Sequence, residues 1–322
     1  MSDQNPLLPA IAPASGGALT TSTGQQRIAT RMAENLLDVA RSQERSLAAQ
    51  RRYRIGDYEF READHAQIQR WARRLGMAPE KMVAVLASSQ KKTPSNEIEA
   101  DFRVTDGAIA SLVWDFALLP LTDWAWGRGL QIWRLGILNA PQGSLPTLPE
   151  CLRNLFCDDN RLTSLTLAQV PQLEILDCRV NELTELDLTH VPGLKKLWCN
   201  TNQLTTLDLT PVPGLKVLNC SSNPLTAVDL TPVPGLLTLA CLKNQLTELN
   251  LTPVPDLKKL ACAINQLTEL HLTSVPRLQA LHCRHNRLTE LDLTPVPGLK
   301  RLWCDSTLHV IGAPLNLKVN DE

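Results

Sequence analysis

Leucine and polar residues alternate in a fixed pattern through the second half of the chain, and the pattern returns every twenty-one residues. One copy, residues 194–213, reads LKKLWCNTNQLTTLDLTPVP. Leu197 and Cys199 alternate with outward neighbours, which is typical of a half-buried strand. A fixed period of this size predicts a stack of similar supersecondary units. A cysteine holds the same place in eight successive units, at positions 157, 178, 199, 220, 241, 262, 283 and 304.

Asparagine occupies a second fixed place, three residues after each of the first seven of these cysteines. Its side-chain amide can hydrogen-bond to backbone groups of the neighbouring turn. Thr307 replaces it in the eighth unit, which predicts that an asparagine ladder ends there. The column consists of Asn160, Asn181, Asn202, Asn223, Asn244, Asn265 and Asn286.

The rest of each unit is extended and ends at a Val-Pro pair, such as Val212-Pro213. Proline has no N–H to donate, and it biases the preceding residue toward extended conformations. A long helix therefore does not fit between successive strands. We expect short strands, turns or polyproline segments on the side opposite the sheet.

These residues resemble the leucine-rich repeat family over about residues 145–310. The match is the pattern L-x-x-L-x-C-x-x-N with a second leucine triplet, although cysteine replaces the last strand leucine and the period is short. The resemblance implies a mainly β solenoid with a 21-residue period and a parallel β-sheet on its concave face. With an α-helical N-terminal region added, this is the predicted fold class.

The nine cysteines are interpreted as core residues rather than ligands. The eight in the column follow the inward side of the strand, where a free thiol packs as a small hydrophobe. Cys151, six residues before the column, is assigned to the repeat cap. His282 and His285 flank Cys283, but a strand places His282 outward and Cys283 inward, so these side chains do not converge on a metal; short metal-site spacings are also missing from the sequence. We expect a reducing compartment, no metal and no cofactor.

The outward strand positions vary while the framework is constant, and this contrast marks them as candidates for binding a partner. Aromatic and arginine side chains are favoured at the centres of interfaces. An apolar floor of small residues lies between Trp198 and Trp303. A simpler alternative is that these two tryptophans only cover the edges of the stack. The predicted partner-binding residues are Phe156, Arg179, Lys196, Trp198, Leu242, His282, Arg284, Arg301 and Trp303.

The far side of each unit carries a column of acidic residues that includes Asp187, Asp208, Asp229 and Asp292. We interpret it as a solvated ridge that discourages aggregation. Calcium binding would need several oxygens converging on one point, which one carboxylate per turn does not supply.

The N-terminal half is predicted to contain a tail and a helical region. Residues 1–26, an uncharged segment rich in Pro, Ala, Ser and Gly from residue 4, are predicted to be a disordered tail that serves as a secretion signal. Residues 27–144 are predicted to be a helical region and repeat cap. After a first helix, Asp64 caps a second helix that ends at Gly76, and Pro79 opens a third. Residues 311–322 are predicted to form a C-terminal cap or tail.

Two alternatives concern this N-terminal region. Its second and third helices resemble a helix-turn-helix, with basic candidates for nucleic acid, but a net charge of −1 disfavours that partner. The apolar residues 109–138 contain no span long enough to cross a membrane. Their aromatics are expected to close the open end of the stack, although a membrane-surface helix is an alternative. The basic candidates are Arg51, Arg52, Arg70, Arg73 and Arg74, and the aromatics are Trp114, Phe116, Trp124, Trp126 and Trp133.

The entry to the repeats, residues 145–155 with the sequence LPTLPECLRNL, resembles bacterial type III secreted effectors with leucine-rich repeats. Only eighteen residues follow Cys304, so the resemblance is to repeat-only effectors without a ubiquitin-ligase domain. It implies a non-enzymatic scaffold, a host protein partner and a secretion chaperone at the N-terminal region. The expected location is the bacterial cytoplasm before secretion into a host cell, without a signal peptide. An adaptor for a separate ubiquitin ligase and a nucleic-acid regulator are the alternatives.

Overall fold

A computed structural model describes residues 52–55, 57–92, 98–105, 108–115, 118–119, 132–140, 143–145 and 147–320. The predicted tail, the predicted first helix, Arg51, Phe116, Trp124 and Trp126 lie outside these residues. The described residues belong to a single compact unit that begins at Arg52.

Among the described residues, seven strands and two helices precede the repeats. The strands are β1 (Tyr53–Ile55), β2 (Tyr58–Phe60), β3 (Gln90–Lys92), β4 (Ile98–Asp101), β5 (Arg103–Thr105), β6 (Ala108–Asp115) and β7 (Arg134–Leu138). The helices are α1 (Glu62–Arg74) and α2 (Pro79–Ser88). These helices fall where the second and third were predicted, but the strands around them were not predicted.

Each repeat contributes one short strand to a parallel sheet. These strands are β8 (Asn154–Phe156), β9 (Ile175–Asp177), β10 (Lys196–Trp198), β11 (Val217–Asn219), β12 (Thr238–Ala240), β13 (Lys259–Ala261), β14 (Ala280–His282), β16 (Arg301–Trp303) and β18 (Lys318–Asn320). Two further strands, β15 (Glu290–Asp292) and β17 (His309–Ile311), pair with each other on the opposite side.

The sheet has twelve strands in the order β5 to β14, then β16 and β18. The register repeats the sequence period, since Leu197 of β10 pairs with Leu176 of β9 and with Leu218 of β11. Only β5 runs antiparallel, and it pairs with β6 at one end. Strands β6 and β7 extend the parallel sheet in front of the first repeat strand. The predicted β solenoid with a 21-residue period is confirmed.

The core is a column of leucine and cysteine from every turn, as the alternation predicted. Leu197 and Cys199 have no exposed surface, and Val212 packs in the same cluster from the far side. The column cysteines are free thiols. Burial raises the pKa of Cys220 to about 12, so this thiol stays protonated near neutral pH.

The asparagine column forms a ladder that ties each turn to the preceding one. The amide nitrogen of Asn202 donates to the carbonyls of Cys178 and Cys199, both at 3.0 Å. Its amide oxygen accepts the backbone N–H of Leu183 at 3.0 Å. The pattern continues to Asn286, which accepts the N–H of Leu267. The ladder therefore stops before Thr307, as predicted.

The residue before each asparagine has a left-handed backbone conformation although none of them is glycine. The φ angles are 55° at Val180 and 56° at Ile264, both of which are β-branched. Such conformations cost about 1–3 kcal/mol each and persist where the surroundings enforce them. The ladder bonds on either side supply that constraint. The other members are Asp159, Thr201, Ser222, Lys243 and His285.

The acidic column on the far side caps the turns that precede the Val-Pro pairs. Asp187 Oδ1 accepts the backbone N–H of Thr189 at 2.9 Å and its hydroxyl at 2.6 Å. The threonine hydroxyl and then the backbone N–H lower the pKa of Asp187. Asp208, Asp229 and Asp292 accept the same backbone bond. These carboxylates are exposed and ionised, so the acidic ridge also has a local structural role.

The predicted role of Asp64 is wrong. Arg61 is the N-cap of α1 and makes no side-chain capping bond, whereas Asp64 lies inside the helix and is fully buried. Its Oδ1 accepts the backbone N–H of Ile109 in β6 at 3.0 Å, and its Oδ2 has no hydrogen-bond partner among the described residues. Asp64 therefore joins the helix to the sheet. Burial is the main cause that raises its pKa to about 6.

The pKa of Asp64 predicts a stability that falls as the pH rises from about 4 to about 6. The folded state binds the proton more tightly than the unfolded chain, whose Asp pKa is about 3.9. Ionisation above pH 6 then costs up to about 2–3 kcal/mol. Asp64→Asn keeps an oxygen for the Ile109 N–H and cannot ionise. We expect this variant to be more stable than the parent at pH 7.5 and no more stable at pH 4, as measured by urea unfolding.

Asp208→Asn is the matched control for this test. The Asp208 carboxyl is exposed and its pKa is lowered. Its contribution to stability is therefore lost as the pH falls, whereas the contribution of Asp64 is lost as the pH rises. A stability difference between the parent and Asp64→Asn that stays constant from pH 4 to 7.5 would contradict the assignment.

Candidate functional site

The parallel register brings the outward strand residues into columns across one sheet face. Residues twenty-one positions apart lie side by side, as Lys196 and Val217 do, or Trp198 and Asn219. Neighbouring strands are about 4.8 Å apart, so the eight strands from β8 to β16 present a face of roughly 35 Å. We call this surface the sheet face.

The N-terminal end of the sheet face is closed by its own side chains. Phe156 is only 5% exposed, and it packs with Val113, Leu138 and Ile175. The Arg134 guanidinium lies 5.2 Å from the centre of its ring. Phe156 was predicted to bind a partner, but it has almost no surface left for one. The cause is the extension of the sheet by β6 and β7.

The next part of the sheet face is polar and internally paired. Arg179 contacts the buried carboxylate of Asp177 at 3.0 Å, which holds its guanidinium against the sheet. Trp198 follows on β10 and is partly exposed, and Lys196 beside it is exposed. Both residues are on the surface where the sequence placed them.

A hollow of about 320 Å³ opens in the C-terminal part of the sheet face. Alanine methyl groups form its floor, and larger polar and aromatic side chains surround it. Because alanine is short, the surface is low here without exposing backbone. The lining side chains of the outward columns are Thr238, Ala240, Lys259, Ala261, Ala280, His282, Arg301 and Trp303.

His282 and Trp303 form the aromatic wall of the hollow. Their ring centroids are 5.9 Å apart with an interplanar angle of 51°. Partial burial and then the nearby Arg284 charge lower the pKa of His282. The imidazole is therefore neutral near pH 7, and it can donate one hydrogen bond and accept another. Arg284 Nε donates to the carbonyl of Cys304 at 3.2 Å, which fixes that side chain beside the wall.

The structure brings together three of the nine predicted partner-binding residues at the hollow, namely His282, Arg301 and Trp303. Leu242 and Arg284 lie in the adjacent outward column, and Lys196 and Trp198 lie nearer the middle of the sheet face. The prediction missed Lys259, although it occupies the same column as Lys196 and Arg301. That position in the period was the available signal.

A metal site or a membrane span would require particular features in the part of the chain that the structure describes. There, no group of three or more His, Cys, Asp or Glu side chains is arranged to hold a metal ion. No helix in the same ranges is both long enough and apolar enough to cross a membrane.

The chain is similar to known proteins at the level of structure. Neither a family model nor a curated protein matches the chain. The structure is similar to YopM, a leucine-rich effector protein from Yersinia pestis, with a TM-score of 0.54 and 24% identity over 64% of this chain and 59% of that one. It also matches the functional domain of InlJ from Listeria monocytogenes, which includes a cysteine ladder, with a TM-score of 0.49 and 31% identity. That match covers 59% of this chain and 47% of the Listeria chain, so this chain spans about half its length.

Proposed function

Because the chain has the leucine-rich repeat fold, we propose that it is a non-enzymatic protein-binding module that docks a partner protein on the sheet face, centred on the hollow. One observation carries the proposal. The framework leucines and cysteines repeat in eight turns and the asparagines in the first seven, whereas the outward columns change. At one end these columns converge on an aromatic wall, an alanine floor and two cations. Aromatic and arginine side chains, such as Trp303 and Arg301 here, are typical of the centres of protein interfaces.

We propose further that the partner is a host protein and that the chain is a bacterial effector. Two observations support this. The sequence enters its repeats through LPTLPECLRNL, which resembles repeat-only effectors, and the similar Yersinia pestis protein is itself described as an effector. In this proposal residues 1–26 direct secretion from the bacterial cytoplasm, and the N-terminal region binds a secretion chaperone.

The test is capture of a partner from host-cell extract by the full chain and by His282→Ala/Trp303→Ala. These side chains are partly exposed, so we expect the variant to keep its melting temperature within a few degrees and to lose the captured protein about tenfold or more. Glu185→Ala/Glu248→Ala on the far side is the control and should capture as the parent does. Equal capture by all three proteins would move the binding site away from the hollow.

A further inference from the structure

One flank of the sheet face carries a surplus of positive charge. The cations stand at the first residue of a strand or at the residue before it, and all are exposed. We call this set the basic rim. It consists of Lys196, Lys216, Lys258, Lys259, Lys300 and Arg301.

The acidic side chains on the same flank are already paired elsewhere. Glu174 contacts Arg153 at 3.0 Å and Lys195 at 2.7 Å, and Asp256 contacts Arg277 at 2.6 Å. Within the described residues, no side chain of the basic rim makes an ion pair. Six positive charges at strands β10, β11, β13 and β16 therefore face solvent without an ion-pair partner, and their mutual repulsion is relieved when an anionic group binds.

The positive charge is local rather than a property of the whole chain. The net charge is −1, and the ridge carboxylates on the far side are held ionised by the threonine hydroxyls. A long polyanion such as duplex nucleic acid would meet both signs, whereas a short acidic segment can follow the basic rim alone. The rim also adjoins the alanine floor and the aromatic wall, which suit an apolar side chain.

From this juxtaposition we propose that the basic rim and the hollow together bind an extended acidic segment of a partner protein. An apolar side chain of the segment enters the hollow while carboxylates on both sides of it meet Lys259 and Arg301. The inference rests on the proposed function and adds to it the chemical class of the bound segment.

The spacing of the cations sets the spacing of the acids. Lys258 and Lys259 stand at β13, and Lys300 and Arg301 stand at β16, with β14 between them. Two strand spacings amount to about 10 Å. Three residues of polyproline II advance about 9 Å and return the side chain to the same side. The expected segment therefore has two acidic residues three positions apart, with an apolar residue between them.

The test is a selection in which the full chain binds peptides from a displayed library of random twelve-residue sequences. We expect enriched peptides to contain paired acids at this spacing around an apolar residue, with affinity that falls as salt is raised to about 0.15 M. Binding of a synthetic copy should weaken about tenfold or more in Lys259→Glu/Arg301→Glu. The milder Lys259→Gln/Arg301→Gln should weaken it less. Lys243→Glu/Arg287→Glu carries the same change of charge away from the basic rim and should bind nearly as the parent does.

Three results would overturn the inference. The first is enrichment of neutral or basic peptides, or of none. The second is equal weakening by the control and the rim variant. The third is binding of a labelled single-stranded oligonucleotide that no selected peptide displaces and that Lys259→Glu/Arg301→Glu abolishes. That result would assign the basic rim to nucleic acid. A different result separates this inference from the proposed function. If neutral peptides are enriched but His282→Ala/Trp303→Ala still loses the protein captured from extract, the proposed function stands and only the acidic preference is wrong.

Discussion

Asn223→Ala should lower the free energy of unfolding by about 3–5 kcal/mol. The amide nitrogen of Asn223 donates to the carbonyls of Cys199 and Cys220 at 3.1 and 3.0 Å, and its oxygen accepts the N–H of Leu204 at 3.0 Å. Each buried polar group left without a partner costs about 1–3 kcal/mol. The loss exceeds that of a single hydrogen bond because one side chain serves groups in two successive turns.

Asn200→Ala provides the matched control for the ladder. Asn200 lies one turn earlier on the outward side, and its amide oxygen has no hydrogen bond among the described residues. We expect this change to alter stability by less than about 0.5 kcal/mol. Urea unfolding followed by circular dichroism measures both variants, and hydrogen exchange should show the largest loss of protection in the turns around residue 223. Similar costs for both substitutions would show that the ladder does not tie the turns together.

Trp114→Ala should also destabilise the chain by about 3–5 kcal/mol. The indole is fully buried at the inward side of β6 and meets Trp71 of α1 edge to face, with ring centroids 4.8 Å apart. Its Nε1 donates to the carbonyl of Leu119 at 2.9 Å. Truncation leaves a cavity between the helix and the sheet, and it also leaves that carbonyl without its donor.

Trp133→Ala is the control that shows whether the loss of stability in Trp114→Ala is specific to the buried indole or follows from truncating any tryptophan. Trp133 is 38% exposed, so its truncation should cost about 1 kcal/mol or less. Thermal unfolding of the two variants gives the comparison. In Trp114→Ala we expect helical signal to be lost before the repeat sheet unfolds, since the indole joins α1 to β6. Equal melting curves for the two variants would contradict the role of Trp114.

The repeats were predictable because every turn places the same residue types in the same surroundings. Inward leucine, inward cysteine and the asparagine bend could each be read from the period, and the structure confirms them. Strand β6 could not be read in this way. Both Val113 and Trp114 are fully buried although they point to opposite sides of the sheet, so the segment shows no alternation. A continuous apolar run of this kind is ambiguous between helix and strand.

The sheet face was predictable in outline but not in detail. Alternation alone identified His282 and Trp303 as outward, yet it could not show that Arg134 and Val113 would cover Phe156. That contact joins residues far apart in the sequence. The left-handed residues were also missed, because Val180 and Ile264 carry none of the glycine signal that normally marks this conformation.

The asparagine ladder also means that this chain can gain or lose sequence most readily as whole 21-residue turns. Within the described residues, each asparagine side chain of the column bonds to its own turn and to the one before, so a duplicated 21-residue segment would bring its own side-chain bonds and its own buried leucines. Such an insertion would lengthen the sheet face by about 4.8 Å and move every later outward residue one place along. An insertion whose length is not a multiple of 21 residues would break the register. Recombination between repeats can therefore change the outward residues of the sheet face while the scaffold stays the same.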